Sequence, residues 1–250
     1  MELRDIIIYF AIKYKGNWNL IYKAILSKEK PKEEEVKNAV CKLDCSVITI
    51  VDENYPIFFK RISTPPFAIF YFGNINLINN NIISVVGSRN VSQYGSEMTK
   101  YVVNKFIKYD QVVCSGLALG VDSIALEEAL NKGLDTIAIL PCGIDTYYPK
   151  QNFILYKKIK EKGLIISEYP NNTTVEPHNY HMRNRLIVAL CEKLVITEAK
   201  NKSGTSISAH YALEYGKDIY CIPYPLDKNS YCNDLIRDGA FIITKDSGIY

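Results

Sequence analysis

Ile82-Ile83-Ser84-Val85-Val86-Gly87-Ser88-Arg89-Asn90 is the stretch from which the fold can be read. Its first five residues form a near-continuous apolar run with no polar alternation, the pattern of a strand covered on both faces. A Gly-Ser turn follows, then a segment of helical period over Tyr94–Ile107. Strand, small-residue turn and amphipathic helix together make one βα unit, and the same unit repeats to the end of the chain. Further strands are expected at Gln111–Cys114, Thr136–Leu140, Leu164–Ser167, Leu194–Thr197, Ile219–Ile222 and Phe241–Thr244. The intervening helices are expected at Val121–Asn131, Asn152–Lys162, Met182–Cys191, Thr205–Tyr215 and Asn233–Arg237. Repeated βα units connect by right-handed crossovers, so the spacing predicts an α/β fold with a doubly wound, mainly parallel sheet.

Upstream of this core the rhythm differs. Ile6–Ile12 and Trp18–Leu26 carry apolar residues at helical spacing, and a charged stretch from Lys28 to Lys37 starts a further short helix. Val47–Val51 and Phe67–Phe72 have strand character, but Tyr55-Pro56 and Pro65-Pro66 interrupt them, and proline forbids regular pairing. The expectation is a small, mainly helical N-terminal module with an extended connector over residues 1–75, and the α/β core over 76–250.

Composition bounds the function. The 250 residues are 48% hydrophobic and 23% charged, an ordinary globular balance that excludes a disordered or disulfide-built chain. No apolar run is long enough to span a membrane, and Ile6–Ile12 follows Glu2, Arg4 and Asp5 rather than a basic leader. Seven irregularly spaced cysteines then suit reduced thiols, and a cytoplasmic, membrane-free protein is expected. A net charge of +3 does not by itself announce a nucleic-acid partner. Arginine is scarce, however, and its placement carries information: of Arg4, Arg61, Arg89, Arg183, Arg185 and Arg237, two stand in one tripeptide.

In an open parallel sheet, ligands bind beyond the carboxyl ends of the strands. The loops there are Gly87-Ser88-Arg89-Asn90, Ser115–Gly120, Pro141–Asp145 and the stretch from Glu198 through Ser203-Gly204-Thr205-Ser206. Glycine allows close backbone approach, helix-start N–H groups favour anions, and hydroxyls add donors, so the four loops read together as a phosphate cup. Taken singly, each also suits an ordinary turn or helix cap. Tyr180-His181-Met182-Arg183-Asn184-Arg185 adds two guanidinium groups beside an aromatic at a helix start, suited to phosphate and base stacking. The alternative is an arginine pair that clamps Glu168 or Glu198. Neither Gly-x-Gly-x-x-Gly nor Gly-x-x-x-x-Gly-Lys-Ser/Thr is present, which argues against dinucleotide redox chemistry and nucleoside triphosphate hydrolysis. His178, His181 and His210 lack zinc-site spacing, and Asp122, Asp145, Glu168, Glu198 and Glu214 suit caps and turns better than acid–base roles.

In order along the chain, Val85–Arg89, Tyr94-Gly95, Ser115–Ala118 with Gly120-Val121-Asp122, Thr136–Leu140 with Gly143-Ile144-Asp145, Ile166–Pro170, Arg183–Ile187, Glu198-Ala199 and Ser203-Gly204-Thr205 resemble the DNA-processing protein A family (DprA, also called Smf). The resemblance covers about 200 residues. It implies a Rossmann-like core that binds single-stranded DNA without catalysis and needs no cofactor or metal. It also implies delivery of that DNA to the RecA recombinase in natural transformation and recombination, and a homodimer. Carried over by motif, Gly87, Ser88, Arg89, Arg183 and Arg185 would bind the DNA backbone. Gly116, Gly204 and Thr205 would shape the same pocket, with Asn184 and Ser203 beside them.

Several positions depart from the family pattern. Leu119 replaces an arginine, Leu126 a histidine, His181 a proline, and Tyr224 and Cys232 glycines, and the winged helix many members carry is not expected after Thr244. Two alternatives stand beside the DNA-binding reading. One is a nucleotide phosphoribohydrolase related to the plant LOG enzymes, although the double glycine and following glutamate of their Gly-Thr loop are missing around Gly204-Thr205. The other is a module that binds a small phosphorylated nucleotide, which a cup made more apolar by Leu119 and Leu126 would suit.

Overall fold

The computed structural model describes residues 2–201, 203–225, 227–228 and 230–245. It opens with three helices, α1 (Leu3–Lys13), α2 (Trp18–Leu26) and α3 (Glu33–Cys41). The Asn17 side chain caps α2 by accepting from the Leu20 amide at 3.1 Å, and Glu33, Glu34 and Glu35 sit at the positive end of α3. β1 (Ser46–Thr49), the single-turn α4 (Ile57–Lys60) and β2 (Ala68–Gly73) follow.

The βα series then runs β3 (Ile82–Val86), α5 (Gln93–Phe106), β4 (Val112–Ser115), α6 (Val121–Asn131), β5 (Thr136–Gly143), α7 (Phe153–Lys162), β6 (Leu164–Tyr169) and α8 (Pro177–Leu190). It ends with β7 (Lys193–Ile196), α9 (Gly204–Glu214), β8 (Asp218–Cys221), α10 (Tyr231–Arg237) and β9 (Phe241–Ile242).

Among the described residues these strands make one sheet in the order β1-β2-β6-β5-β4-β3-β7-β8-β9, parallel from β6 through β9. The chain lays β3 to β6 in one direction, then returns to place β7, β8 and β9 on the other side of β3. The order therefore reverses between β3 and β7, and that is the switch point. Alternation along each strand feeds two helical layers. Ile83 and Val85 pack with Val102, Phe106, Val121 and Ala125 of α5 and α6, while Ile82 and Val86 pack with α8 and α9 on the other face.

Two expectations need correction. The stretch taken as an extended connector is the edge of the sheet itself: Val47 of β1 pairs antiparallel with Phe70 of β2, and Phe70 with Ser167 of β6. Ile7, Phe10 and Ala11 of α1 and Ile21 and Ala24 of α2 share one buried cluster with Phe70, Leu140 and Ile165. Sheet and core thus both run across residue 75. The prolines break only the loop between β1 and β2, and loop composition does not say where the flanking strands dock. The second correction is α8, which starts at Pro177 rather than Met182. Proline suits the first helical turn, where its missing N–H has no partner to lose, and the polar residues after it hid the helical period.

Candidate nucleic-acid interface

A cavity of about 710 Å³ opens beyond the carboxyl ends of β3 and β7, at the switch point. Its first wall is the turn after β3, where Gly87 lies so close to β7 that a Cβ would stand 2.6 Å from the Glu198 carbonyl oxygen. The Ser88 amide donates to that same carbonyl at 2.7 Å. The Glu198 carboxylate accepts from the Ser92 amide at 3.0 Å and hydroxyl at 2.6 Å, which fixes the entry to α5. On this pinned turn Arg89 is exposed, forms no ion pair among the described residues, and holds its guanidinium carbon 4.5 Å from the centre of the Tyr180 ring. Burial, with the Tyr148 hydroxyl beside it, pushes the Tyr180 hydroxyl up to about 12, so the ring stays neutral at physiological pH.

Arg183 forms the floor. It is buried, and donates Nη1 to the Gly116 carbonyl and, at 2.9 Å, to that of Ile139. A Cβ at 116 would strike this guanidinium, so a side chain there would push Arg183 out of its place. Asp122 lies alongside and accepts from the Gly116 amide at 3.2 Å. Burial raises the Asp122 carboxyl above its usual range, against the pull of Arg183, and lowers the Arg183 guanidinium.

The far wall is the start of α9. Asn184 donates to the Gly204 carbonyl at 3.2 Å, tying α8 to α9, and Ser206 donates its hydroxyl to the Ser203 carbonyl at 2.6 Å. The Ser203 hydroxyl oxygen is buried with no partner among the described residues, which is costly unless a ligand supplies one. A helix start, an unsatisfied hydroxyl and cations on one rim suit a phosphate.

Of the residues singled out from sequence, Gly87, Ser88, Arg89, Arg183, Asn184, Ser203, Gly204 and Thr205 line this cavity, and Gly116 lies beneath Arg183 against a small side slot. Arg185 does not line it. Its side chain is buried on the other side of α8, where Nη2 donates to Glu168 Oε1 at 2.7 Å and Nε to the Thr64 carbonyl at 3.1 Å. The glutamate-clamp alternative thus describes Arg185, whereas Arg183 faces the cup. Leu126 is buried in the core and does not line the cup, while Leu119 borders the side slot with Tyr148 and Pro149. Lys200 is a rim cation that sequence reasoning passed over; its place between β7 and α9 was the signal.

A mainly parallel sheet wound to both sides of a switch point, with helices on both faces, defines a Rossmann-like protein. Within that class the chain belongs to the DNA recombination-mediator protein A family, whose model matches residues 46–250. It is 34% identical over 203 residues to the DNA processing protein DprA of Streptococcus pneumoniae, covering 80% of this chain and 72% of that one. Protein Smf of Synechocystis is also 34% identical, over 206 residues that make up only 52% of its length. The S. pneumoniae DprA structure superposes with a TM-score of 0.78 at 29% identity, over 96% of this chain and 90% of that one. The Helicobacter pylori protein, described for its single-stranded DNA binding mode, gives 0.74 at 32% identity, over 80% and 91%.

Proposed function

We propose that the cup binds a segment of single-stranded DNA and does no chemistry on it. The observation that carries this reading is Arg89, an exposed cation without an ion pair among the described residues, held over an aromatic ring at the switch point. Single strands ask for positive charge along the backbone and π surfaces for unpaired bases, and Arg89 with Tyr180 offers both. Lys200, the start of α9 and the Ser203 hydroxyl supply further phosphate contacts. The binding mode described for the H. pylori relative supports the same ligand. We further propose that the chain works as a recombination mediator, as its family's description says of that family, by protecting incoming single strands and loading RecA on them as a homodimer.

Fluorescence anisotropy with labelled oligo-dT, against duplex of equal length, tests the first step. Preference for the single strand, lost in Arg89→Ala, is expected. Equal binding of both, or saturable binding of a mononucleotide with weak DNA binding, would move the reading to the nucleotide-binding alternative. Recombinase delivery is tested by whether the chain speeds RecA assembly on strands coated with single-strand-binding protein.

A further inference from the structure

Among the described residues, the cup is followed along α8 by two further cavities besides the side slot. The cup shares His181, Ser206 and Ile207 with a second cavity of about 570 Å³, which reaches His210 and Tyr211 of α9. That second cavity shares Thr64 and Met182 with a third of about 400 Å³, walled by the α1–α2 turn. Shared lining residues place the three side by side along α8, as a groove from the switch point to the N-terminal helices. Resting on the reading of the cup as a single-strand site, we infer that the bound strand continues along this groove and that Lys15 holds its backbone at the far end.

Lys15 is exposed, lines the third cavity and enters no ion pair among the described residues. Its neighbour Lys13 lies 2.7 Å from Glu29 and is already neutralised in part. The turn that presents Lys15 is held in place. Lys15 and Gly16 both take positive φ, 48° and 71°, and a Cβ on Gly16 would lie 2.6 Å from the Glu168 carbonyl oxygen, so the turn is seated on the end of β6. Trp18, on the same wall, donates its ring N–H to the Pro65 carbonyl at 2.7 Å and stacks on Tyr22. An exposed cation on a held turn, with an anchored aromatic on the same wall, brings to the far end the residue types that Arg89 and Tyr180 bring to the cup. The crossing point is equally fixed, because Thr64 is held by the buried Arg185–Glu168 pair. Glu176 and Glu214 also line the groove and are the walls that phosphates avoid.

The test compares labelled oligo-dT of about 6 and about 20 nucleotides, the short one filling only the cup, on the whole chain and on Lys15→Ala, Lys15→Glu and Arg89→Ala. Lys15→Ala is expected to weaken the long oligonucleotide about threefold and Lys15→Glu about tenfold, with the salt slope on it shallower by about 0.7 in the alanine variant. Both should bind the short one as wild type does, which also shows that they are folded. Equal binding of the long oligonucleotide by wild type and both Lys15 variants overturns the groove, as does a wild type that binds long and short alike. Failure of the underlying reading looks different: wild type then binds neither, or Arg89→Ala binds both unchanged.

Discussion

Arg183 and Arg185 stand two residues apart on α8, and two residues of helix turn the chain by about 200°. The two guanidinium groups therefore leave opposite faces, one forming the floor of the cup and the other bonded to Glu168. Replacing Arg185 with Met leaves the Glu168 carboxylate buried without its cation, and urea titration should show a loss of about 3–5 kcal/mol. Arg89→Ala, at an exposed site, should change stability by no more than about 0.5 kcal/mol. Two glycines give a matched contrast. Gly116→Ala would drive a methyl group into the Arg183 guanidinium and should destabilise by about 1–3 kcal/mol, whereas at Gly204 a Cβ meets nothing within 4 Å. Gly204→Ala should melt like wild type yet weaken oligo-dT binding, because its methyl group would enter the space proposed for the strand. Asp122 adds a pH signature. Its folded pKa is raised, so between the unfolded and folded values the native state holds more protons than the unfolded one. The contribution of Asp122 to stability is greatest below the unfolded value, about 3.9, and falls as pH rises through the folded one. The urea midpoint of wild type minus that of Asp122→Asn should therefore shrink as pH rises from about 4; a gap that widens would show that the Arg183 attraction outweighs burial.

At the scale of elements, the apolar runs placed the core strands to within two residues, except that β5 continues three residues past Leu140 to Gly143, because burial on both faces leaves a signal that needs no partner to be read. α8 was placed late by five residues, since its first turns follow Pro177 with His, Asn and Tyr and carry no apolar period. That shift matters for the site. With the helix begun at Pro177, Tyr180, Arg183 and Asn184 fall at i, i+3 and i+4 and share the face that lines the cup. The stack beneath Arg89 depends on the ring and not on the Tyr180 hydroxyl. Tyr180→Phe should bind oligo-dT as wild type does, while Tyr180→Ala should lose about 1–3 kcal/mol by anisotropy. A Phe variant as weak as the Ala one would show that the hydroxyl, not the ring, contacts the strand.

Across the whole molecule, the family model matches from residue 46, yet α1 packs on β1 and β2, and α1 and α2 share a buried cluster with residues of β5 and β6. Burying a Phe or Ile side chain is worth about 1.5–3 kcal/mol, and Ile7, Phe10 and Ile21 all lie in that cluster. A chain starting at residue 46 should consequently melt well below the full chain or aggregate; an unchanged melting temperature would restore the separate module expected from sequence. Association should also weaken linearly on a log–log plot against salt, with a slope near −2 if about three phosphates are neutralised in the cup.

The sequence by itself determined the α/β class, the parallel core and the four small-residue loops, because strand burial and turn chemistry are local properties written in consecutive residues. It also brought together most of the cup, since loops that follow parallel strands must emerge on one rim. Only the tertiary structure decided which arginine faces that rim, that Leu126 lies in the core, and that the N-terminal helices complete the sheet's cover. Those outcomes depend on helix phase and on long-range docking. A shift of α8 by a few residues rotates every side chain on it, and Thr64 meets Arg185 across 121 residues of sequence. Contacts of that kind leave no mark on either partner's neighbours in the chain.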